Sequence, residues 1–220
     1  MTKLLLLFVL YVLTIISIFA LYTIHSSHAI PATIDNKPNQ SEIVNEEKSE
    51  IPYTGFIVLK NTYNQQNELT IYNLDQSKWK SFYFDDKFKY DDIDPYAIKP
   101  ENTLLVFKCL GKENEFYKVI VNENKNTIKY IKESNLNFKF ETIEVHILTV
   151  FSVDFNEKEN PLRLAPDQKS QQFPKNKDSF YYPIKIDGDW LMLEDDNAEK
   201  FWIKWCNNKG KLILELYYDA

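Results

Sequence analysis

Residues 183–208 read PIKIDGDWLMLEDDNAEKFWIKWCNN, and this stretch indicates the fold class. Apolar and polar side chains alternate on both sides of Asp187-Gly188, a dipeptide typical of a tight hairpin turn. An acidic turn then leads into a third run that is rich in aromatic residues. We therefore predict three consecutive strands, Tyr181–Ile186, Asp189–Leu193 and Lys200–Trp205.

Short apolar or alternating runs, separated by Asn, Asp, Lys and Pro, extend back from this stretch to Pro52. Many short strands at such spacing are typical of small barrels or of a sandwich, and no long amphipathic helix is predicted. The further predicted strands are Gly55–Leu59, Glu68–Asn73, Trp79–Phe84, Thr103–Gly111, Glu115–Val121, Thr127–Lys132, Phe140–Phe155, Leu162–Leu164 and Lys211–Tyr218.

The composition of the 220-residue chain supports a β-rich fold, because it contains 14 Tyr and 15 Phe, which suit a pleated, half-buried surface. With only 4 Gly, the turns must rely on Asn, Asp, Lys and Pro. The net charge of −6 argues against nucleic-acid binding, since phosphate contacts need a basic surface. Arg163 is the only arginine, so an arginine cluster for phosphate or carboxylate is excluded.

Residues 4–24 carry no charge, and a helix of that length spans about 31 Å, close to one bilayer core. Lys3 precedes the run and the acidic stretch 42–50 follows it, a charge pattern that places the C-terminal part across the membrane. Residues 1–29 are therefore either a signal peptide cleaved near Ala29 or an uncleaved transmembrane signal-anchor. The protein is expected to be membrane-anchored with its C-terminal part in the periplasm or outside, or secreted if cleaved.

Three segments follow the hydrophobic one. Residues 30–50 are polar, acidic and interrupted by proline, so they are predicted to be a disordered linker. Residues 51–155 are predicted to be a β-rich domain, and residues 156–220 a second, smaller domain.

The two predicted domains share a local pattern. Residues 107–135 and 183–208 each run as strand, glycine turn and strand opened by an aromatic residue, then a polar turn and an aromatic-Ile-Lys strand. Tyr117 aligns with Trp190 in this comparison. Either the two halves arose by duplication, or two β-meanders with aromatic turns simply look alike.

Residues 162–167 (LRLAPD), 186–191 (IDGDWL) and 201–204 (FWIK) carry a family resemblance. They resemble the opening strand and loop, the glycine-aromatic hairpin and the closing strand of bacterial SH3-like domains of the SH3b type, as in exported proteins of Bacteroidota-type bacteria. The match is best over 158–206 and weaker over 60–135. It implies one or two small SH3-like β-barrels that bind cell-wall components or extended peptides.

This chain departs from the family pattern at two places. The usual Arg-x-Gly-Pro run is missing from the opening loop, and residues 212–220 extend past the family's normal end. The extension leaves the strand order of the second domain open.

Histidine and cysteine offer little catalytic chemistry. His25 and His28 lie in or beside the export segment, and His146 alternates with apolar residues in a predicted strand, a position where histidine is more often structural than a ligand or base. Cys109 and Cys206 lack the C-x-x-C spacing of redox sites. They either form a disulfide in an oxidising compartment or are two separate small core residues.

Acidic residues cluster in two predicted turns, and their best interpretation is solvated loop charge. The first set lacks the D-x-D-x-D-G spacing of a calcium loop, and no metal or cofactor is predicted. The alternative is a carboxylate site that performs hydrolysis. The two sets are Asp85, Asp86, Asp91, Asp92 and Asp94, and Glu194, Asp195 and Asp196.

Aromatic side chains concentrate near the C-terminal end. Because adjacent residues on a strand face opposite sides of a sheet, some of these rings must be exposed, and exposed contiguous aromatic residues are typical of binding sites. The alternative is ordinary cross-strand packing. The candidate ligand-binding residues are Tyr182, Trp190, Trp202, Trp205 and Tyr218.

These observations predict a non-enzymatic binding module at the cell envelope, whose partner is a cell-wall component such as peptidoglycan, an extended peptide or an envelope protein. The membrane is a further partner if the N-terminal segment stays uncleaved. An alternative is an inhibitor or immunity-type protein that blocks an exported enzyme or toxin, since acidic loops can steer onto a basic cleft.

Overall fold

Alternating apolar residues form strands throughout residues 51–219, the part of the chain that the computed structural model describes. The fold is mostly β, with 45% strand and 5% helix, which confirms the predicted class. The predicted N-terminal helix and the linker at 30–50 lie outside the described residues. Across 51–219, no helix has the length and apolar character needed to cross a membrane.

The first sheet contains eight antiparallel strands in the order β3-β2-β7-β6-β5-β1-β8, with β4 paired to β5. β1 lies next to the edge strand β8 and is buried along its whole length between β5 and β8. The strands are β1 (Gly55–Leu59), β2 (Leu69–Tyr72), β3 (Lys78–Phe82), β4 (Ala97–Lys99), β5 (Leu104–Glu113), β6 (Phe116–Asn122), β7 (Thr127–Lys132) and β8 (Phe138–Thr142). A 3-10 turn at Pro100–Asn102 joins β4 to β5.

The second sheet has five antiparallel strands in the order β11-β10-β14-β13-β12, and a third sheet pairs β15 with β9. In β12, the register shifts between Pro183 and Lys185, which leaves Ile184 as a bulged residue. The remaining strands are β9 (Ser152–Asp154), β10 (Leu162–Arg163), β11 (Gln172–Phe173), β12 (Tyr181–Asp187), β13 (Trp190–Asp195), β14 (Lys200–Lys204) and β15 (Glu215–Tyr217).

The long strand predicted over Phe140–Phe155 is wrong. The chain leaves β8 at Thr142, turns through the short helix α1 (Ile143–Ile147) and returns to a strand only at β9. The Thr142 hydroxyl accepts a hydrogen bond from the Val145 amide at 3.3 Å and caps the helix N-terminus, which satisfies an amide that the first helical turn leaves unpaired.

Two apolar clusters cover the two faces of β1. Ile57 packs into a cluster formed by the first sheet and its loops, whereas Phe56 packs into a second cluster that we call the shared core. The shared core also takes side chains from α1, β9 and the inner face of the second sheet. It therefore draws residues from both sides of position 155, where the sequence predicts a domain boundary, and that division stays a prediction.

No sheet within residues 51–219 closes into a barrel, so the prediction of one or two closed SH3-like barrels is wrong. The second sheet ends at β11, which is two residues long, and at β12, and these strands are not paired with each other. Closure is one way to bury an apolar sheet face. Here the shared core buries that face instead, because Leu191, Leu193 and Ile203 lie in the same cluster as Phe56.

Gly55 tests how tightly β1 packs against its neighbour β8. A β-carbon at this position would collide with the Glu141 carbonyl oxygen and lie 2.8 Å from two ring carbons of Phe140. Since the backbone carbonyl cannot rotate away, we expect Gly55→Ala to destabilise the protein by about 1–3 kcal/mol in urea unfolding. Gly210→Asn is the control, because Gly210 has φ of 72° and open space around it, and asparagine tolerates that backbone. Equal losses in the two variants would contradict the packing argument.

Candidate functional site

The candidate site lies on the face of the second sheet that points away from the shared core, which we call the outer face. Alternation along β13 sends Leu191 and Leu193 into the shared core and leaves Trp190 and Met192 on the opposite side. Cross-strand pairing carries the outer face over β12, β13 and β14. Its residues are Tyr182, Lys185, Trp190, Met192, Trp202 and Lys204.

Trp190 is the most accessible indole of the outer face. It is half-buried, and its cross-strand partner Lys204 places its amine 4.6 Å from the ring centroid. The same amine lies 3.0 Å from a carboxylate oxygen of Asp189. An apolar ring, a cation and a carboxylate are therefore held side by side, an arrangement that suits ligands with an apolar face and polar groups.

Trp202 lies on the same face but is only 7% exposed. Its cross-strand partners are Met192 and Arg163, and the Lys185 amine lies 5.3 Å from its ring centroid. Arg163 itself donates hydrogen bonds to the Gln168 and Ser170 carbonyl oxygens. Trp202 is therefore packed beneath its neighbours and supports the outer face without offering an open ring.

Tyr182 occupies the far end of the outer face. Its hydroxyl donates a 2.8 Å hydrogen bond to Asp196, which raises the pKa of Tyr182 and, together with the Phe180 amide, lowers the pKa of Asp196. The ring of Phe151 meets the Tyr182 ring edge-on, with centroids 5.4 Å apart. This end of the face is thus closed by neighbouring aromatic residues.

The other two predicted ligand-binding residues are not on the outer face. Trp205 is buried in the shared core, where its indole nitrogen donates a 2.8 Å hydrogen bond to the Gly188 carbonyl. Tyr218 packs against the shared core with its hydroxyl 2.8 Å from His146 Nε2. The structure brings Tyr182, Trp190 and Trp202 onto one face and gives Trp205 and Tyr218 separate contacts.

A buried polar network surrounds His146, as expected for a structural histidine, but in a helix and not in the predicted strand. His146 is 1% exposed, and its Nδ1 lies 2.7 Å from an oxygen of Glu141. Lys139 contacts the other Glu141 oxygen at 2.6 Å. Burial strongly raises the pKa of Tyr218, so its hydroxyl stays protonated and can donate to His146 Nε2.

Sequence reasoning did not single out Glu141, or the buried Lys108. Lys108 lies on β5 with its amine 5.1 Å from the ring centroids of both Tyr53 and Tyr96 and 3.0 Å from Glu123. The only sequence signal for these groups was a charged residue at an apolar position of an alternating strand. Both charges have partners, which is the condition for burying them.

The two cysteines are free thiols in different clusters. Cys109 lies in the cluster formed by the first sheet and its loops, and Cys206 lies in the shared core. Burial raises the pKa of both thiols, which disfavours the reactive thiolate. The disulfide considered from the sequence is not formed, and the arrangement is that of two separate core residues.

The acidic clusters include groups with internal partners. Both carboxylate oxygens of Asp92 accept hydrogen bonds from Lys80 at 2.6 Å. Asp195 is buried and accepts from the amides of Asn197 and Glu199 at 2.9 Å, so solvated loop charge is wrong for Asp195. Within residues 51–219, no group of three or more His, Cys, Asp or Glu is arranged to hold a metal ion.

Comparisons of the chain with models of protein families, with curated proteins and with solved structures found no match. The chemistry of the site therefore has to be argued from its own geometry. The outer face offers one accessible indole, a neighbouring cation and packed supports. This combination suits noncovalent binding of an extended ligand.

The two outer-face tryptophans should differ in their effect on stability. We expect Trp202→Ala to destabilise the protein by about 3–5 kcal/mol because it empties a packed site, whereas Trp190→Ala should cost roughly 1 kcal/mol. Urea unfolding of the two variants beside the wild-type chain measures the difference. A Trp190→Ala loss as large as that of Trp202→Ala would show that Trp190 is also a packing residue.

The Glu141 network predicts a dependence of stability on pH. Burial opposes the charged form of Glu141, but hydrogen bonds from His146 and Lys139 outweigh it and lower its pKa. A carboxyl group with a lowered pKa stabilises the fold above its unfolded pKa of about 4.3, and that stabilisation is lost as the pH falls through the folded value. We expect Glu141→Gln to lose about 1–3 kcal/mol at neutral pH, since a buried partner is left imperfectly paired.

Urea unfolding from neutral pH down to about pH 3.5 tests this expectation. The difference between Glu141→Gln and the wild type should shrink as the pH falls below the unfolded pKa. Glu159→Gln serves as the control, because Glu159 is an exposed glutamate. A difference that stays constant over this range would refute the role given to the Glu141 charge.

Proposed function

We propose that the protein is a non-enzymatic binding module of the cell envelope that holds an extended ligand of the wall, a glycan strand or its peptide, on the outer face. The single observation that carries this proposal is the pairing of the accessible Trp190 ring with the Lys204 amine. Export to the envelope rests on the uncharged run at residues 4–24, and the resemblance to SH3b-type domains points to the same class of ligand.

The chemistry of Trp190 and Lys204 supports a ligand that is partly apolar and partly polar. An indole packs against the apolar faces of sugars or peptide side chains, and the neighbouring Lys204–Asp189 pair offers a donor and an acceptor to their polar groups. Wall peptides and wall sugars carry both features. Trp202 and Met192 pack against each other across β14 and β13 and hold these two strands rigid beside Trp190. The site is therefore formed before the ligand arrives, and this lowers the entropic cost of binding.

The alternative of an inhibitor or immunity-type protein has less support. It depends on acidic loops that are available to a basic enzyme cleft. Asp92 is neutralised by Lys80, and Asp195 is buried in its own turn. The acidic charge of these two residues is therefore used inside the fold.

Co-sedimentation of the purified full-length chain with isolated sacculi tests the proposal. We expect the wild type to pellet with sacculi, and Trp190→Ala or Lys204→Gln to bind about ten-fold more weakly, as for loss of a contact worth about 1.4 kcal/mol. Tyr83→Ala is the matched control, because Tyr83 is an exposed aromatic residue of the first half of the chain. Folded wild-type protein that stays in the supernatant, or equal losses in all three variants, would contradict wall binding by the outer face.

A further inference from the structure

A cleft of about 370 Å³ lies between the β9–β15 sheet and the segment that leads into β12. It is separate from Trp190 and Lys204 and contains none of the five residues that the sequence singled out for ligand binding. Its lining combines aromatic rings, hydroxyls and charges. The residues that matter for its chemistry are Ser152, Asp154, Lys175, Lys177, Phe180 and Tyr217.

Two aromatic rings line the cleft with large exposed surfaces. Phe180 is 46% exposed and Tyr217 is 44% exposed. Each ring is held by a neighbour, since Phe180 packs against Phe151 at 5.3 Å and the Tyr217 hydroxyl donates to Glu215 at 3.1 Å. The two rings come from different elements and do not contact each other, so space remains between them. Exposed, fixed rings beside a cleft are typical of ligand sites.

Ser152 adds to the cleft a hydroxyl group that makes no hydrogen bond to another described residue. It is 2% exposed and lines the cleft, and within residues 51–219 its hydroxyl has no hydrogen-bond partner. The Ser152 hydroxyl oxygen is not among the fully buried polar atoms that lack a partner, so it can be reached from the cleft. The hydroxyl can donate to, or accept from, a hydroxyl of a bound molecule.

The charges of the cleft leave one cation for a ligand. The Lys175 amine donates hydrogen bonds to the Asp154 carboxylate and to the Phe155 carbonyl, and the Asp219 carboxylate forms an ion pair with Lys99. Lys177 is exposed, and no carboxylate of the described residues lies within ion-pair distance of it. The Lys177 amine is therefore available to pair with an anionic group of a molecule bound in the cleft.

We infer that this cleft is a second binding site, which takes a saccharide unit carrying a carboxylate. The pyranose ring packs against Phe180 and Tyr217, a sugar hydroxyl pairs with Ser152, and the carboxylate pairs with Lys177. The two aromatic rings and the Ser152 hydroxyl are the reason for choosing a sugar as the ligand. The Lys177 amine is the reason for expecting that the sugar carries a carboxylate.

Titration of the full-length chain with three small molecules, followed by NMR, tests the inference. N-acetylmuramic acid and N-acetylglucosamine share the pyranose ring and differ in the lactyl carboxylate, and lactate supplies that carboxylate alone. We expect N-acetylmuramic acid to bind about five-fold more tightly than N-acetylglucosamine, and lactate to bind most weakly. Lys177→Gln should abolish the preference, and Tyr217→Ala should weaken both sugars. Phe180→Ala replaces Tyr217→Ala if that variant unfolds.

Two further variants separate this site from other effects. Lys169→Gln removes an exposed lysine outside the cleft and should change nothing. Trp190→Ala should lose binding to sacculi but keep the preference for N-acetylmuramic acid over N-acetylglucosamine and its dependence on Lys177, so failure of the outer face and failure of the cleft give different results. Equal binding of the two sugars, lactate binding as tight as that of N-acetylmuramic acid, a preference that survives Lys177→Gln, or no saturable binding of either sugar would each overturn the inference.

Discussion

Burial of the second sheet's inner face in the shared core is the interaction on which the rest of the structure depends. Leu191, Leu193 and Ile203 occupy the same apolar cluster as Phe56 of the first sheet. Apolar burial contributes about 25 cal/mol for each Å² removed from water, and it is strongest where two faces meet. Because the shared core takes up the apolar face of the second sheet, the opposite face is left for polar, aromatic and cationic side chains.

A buried polar network complements this apolar contact by holding the C-terminal end of the described residues in place. Glu141, His146 and Tyr218 form a chain of hydrogen bonds from β8 through α1 to the segment after β15. A hydrogen-bonded network of this kind stabilises a unique arrangement only when each member has a partner. It therefore fixes the path of the chain after β15 beside β8 and α1, immediately after Tyr217, which lines the cleft.

Sequence patterns predicted most strands because alternation reports directly on which side chains are buried. The three strands from β12 to β14 were predicted with bounds that differ by one or two residues, and alternation indicated that some of their aromatic rings are exposed. The patterns failed at α1, where the cap at Thr142 begins a helix inside an apolar run. They also failed at the second sheet, where the nonlocal contacts of the shared core bury the apolar face without barrel closure.

The candidate site was predictable in part for the same reason. Alternation identifies the face of Trp190 and Trp202 but cannot say that Trp202 is covered by its neighbours. The match of Tyr117 with Trp190 also fails at the level of register. Tyr117 pairs with Ile131, whereas Trp190 pairs with Lys204, one position beyond the corresponding isoleucine. A slip of one residue exchanges the two faces of a strand, so the two aromatic residues are not equivalent.

The bulge at Ile184 has an evolutionary consequence of the same kind. Tyr182 and Lys185 share a face only because one additional residue sits between their pairing positions. If Ile184 were paired instead of bulged, regular alternation would place Tyr182 and Lys185 on opposite sides of the sheet. Loss of the single codon for Ile184 would instead remove the bulge and keep both residues on the outer face. The bulge thus lets β12 differ by one residue in length between related sequences without changing what its outer face presents.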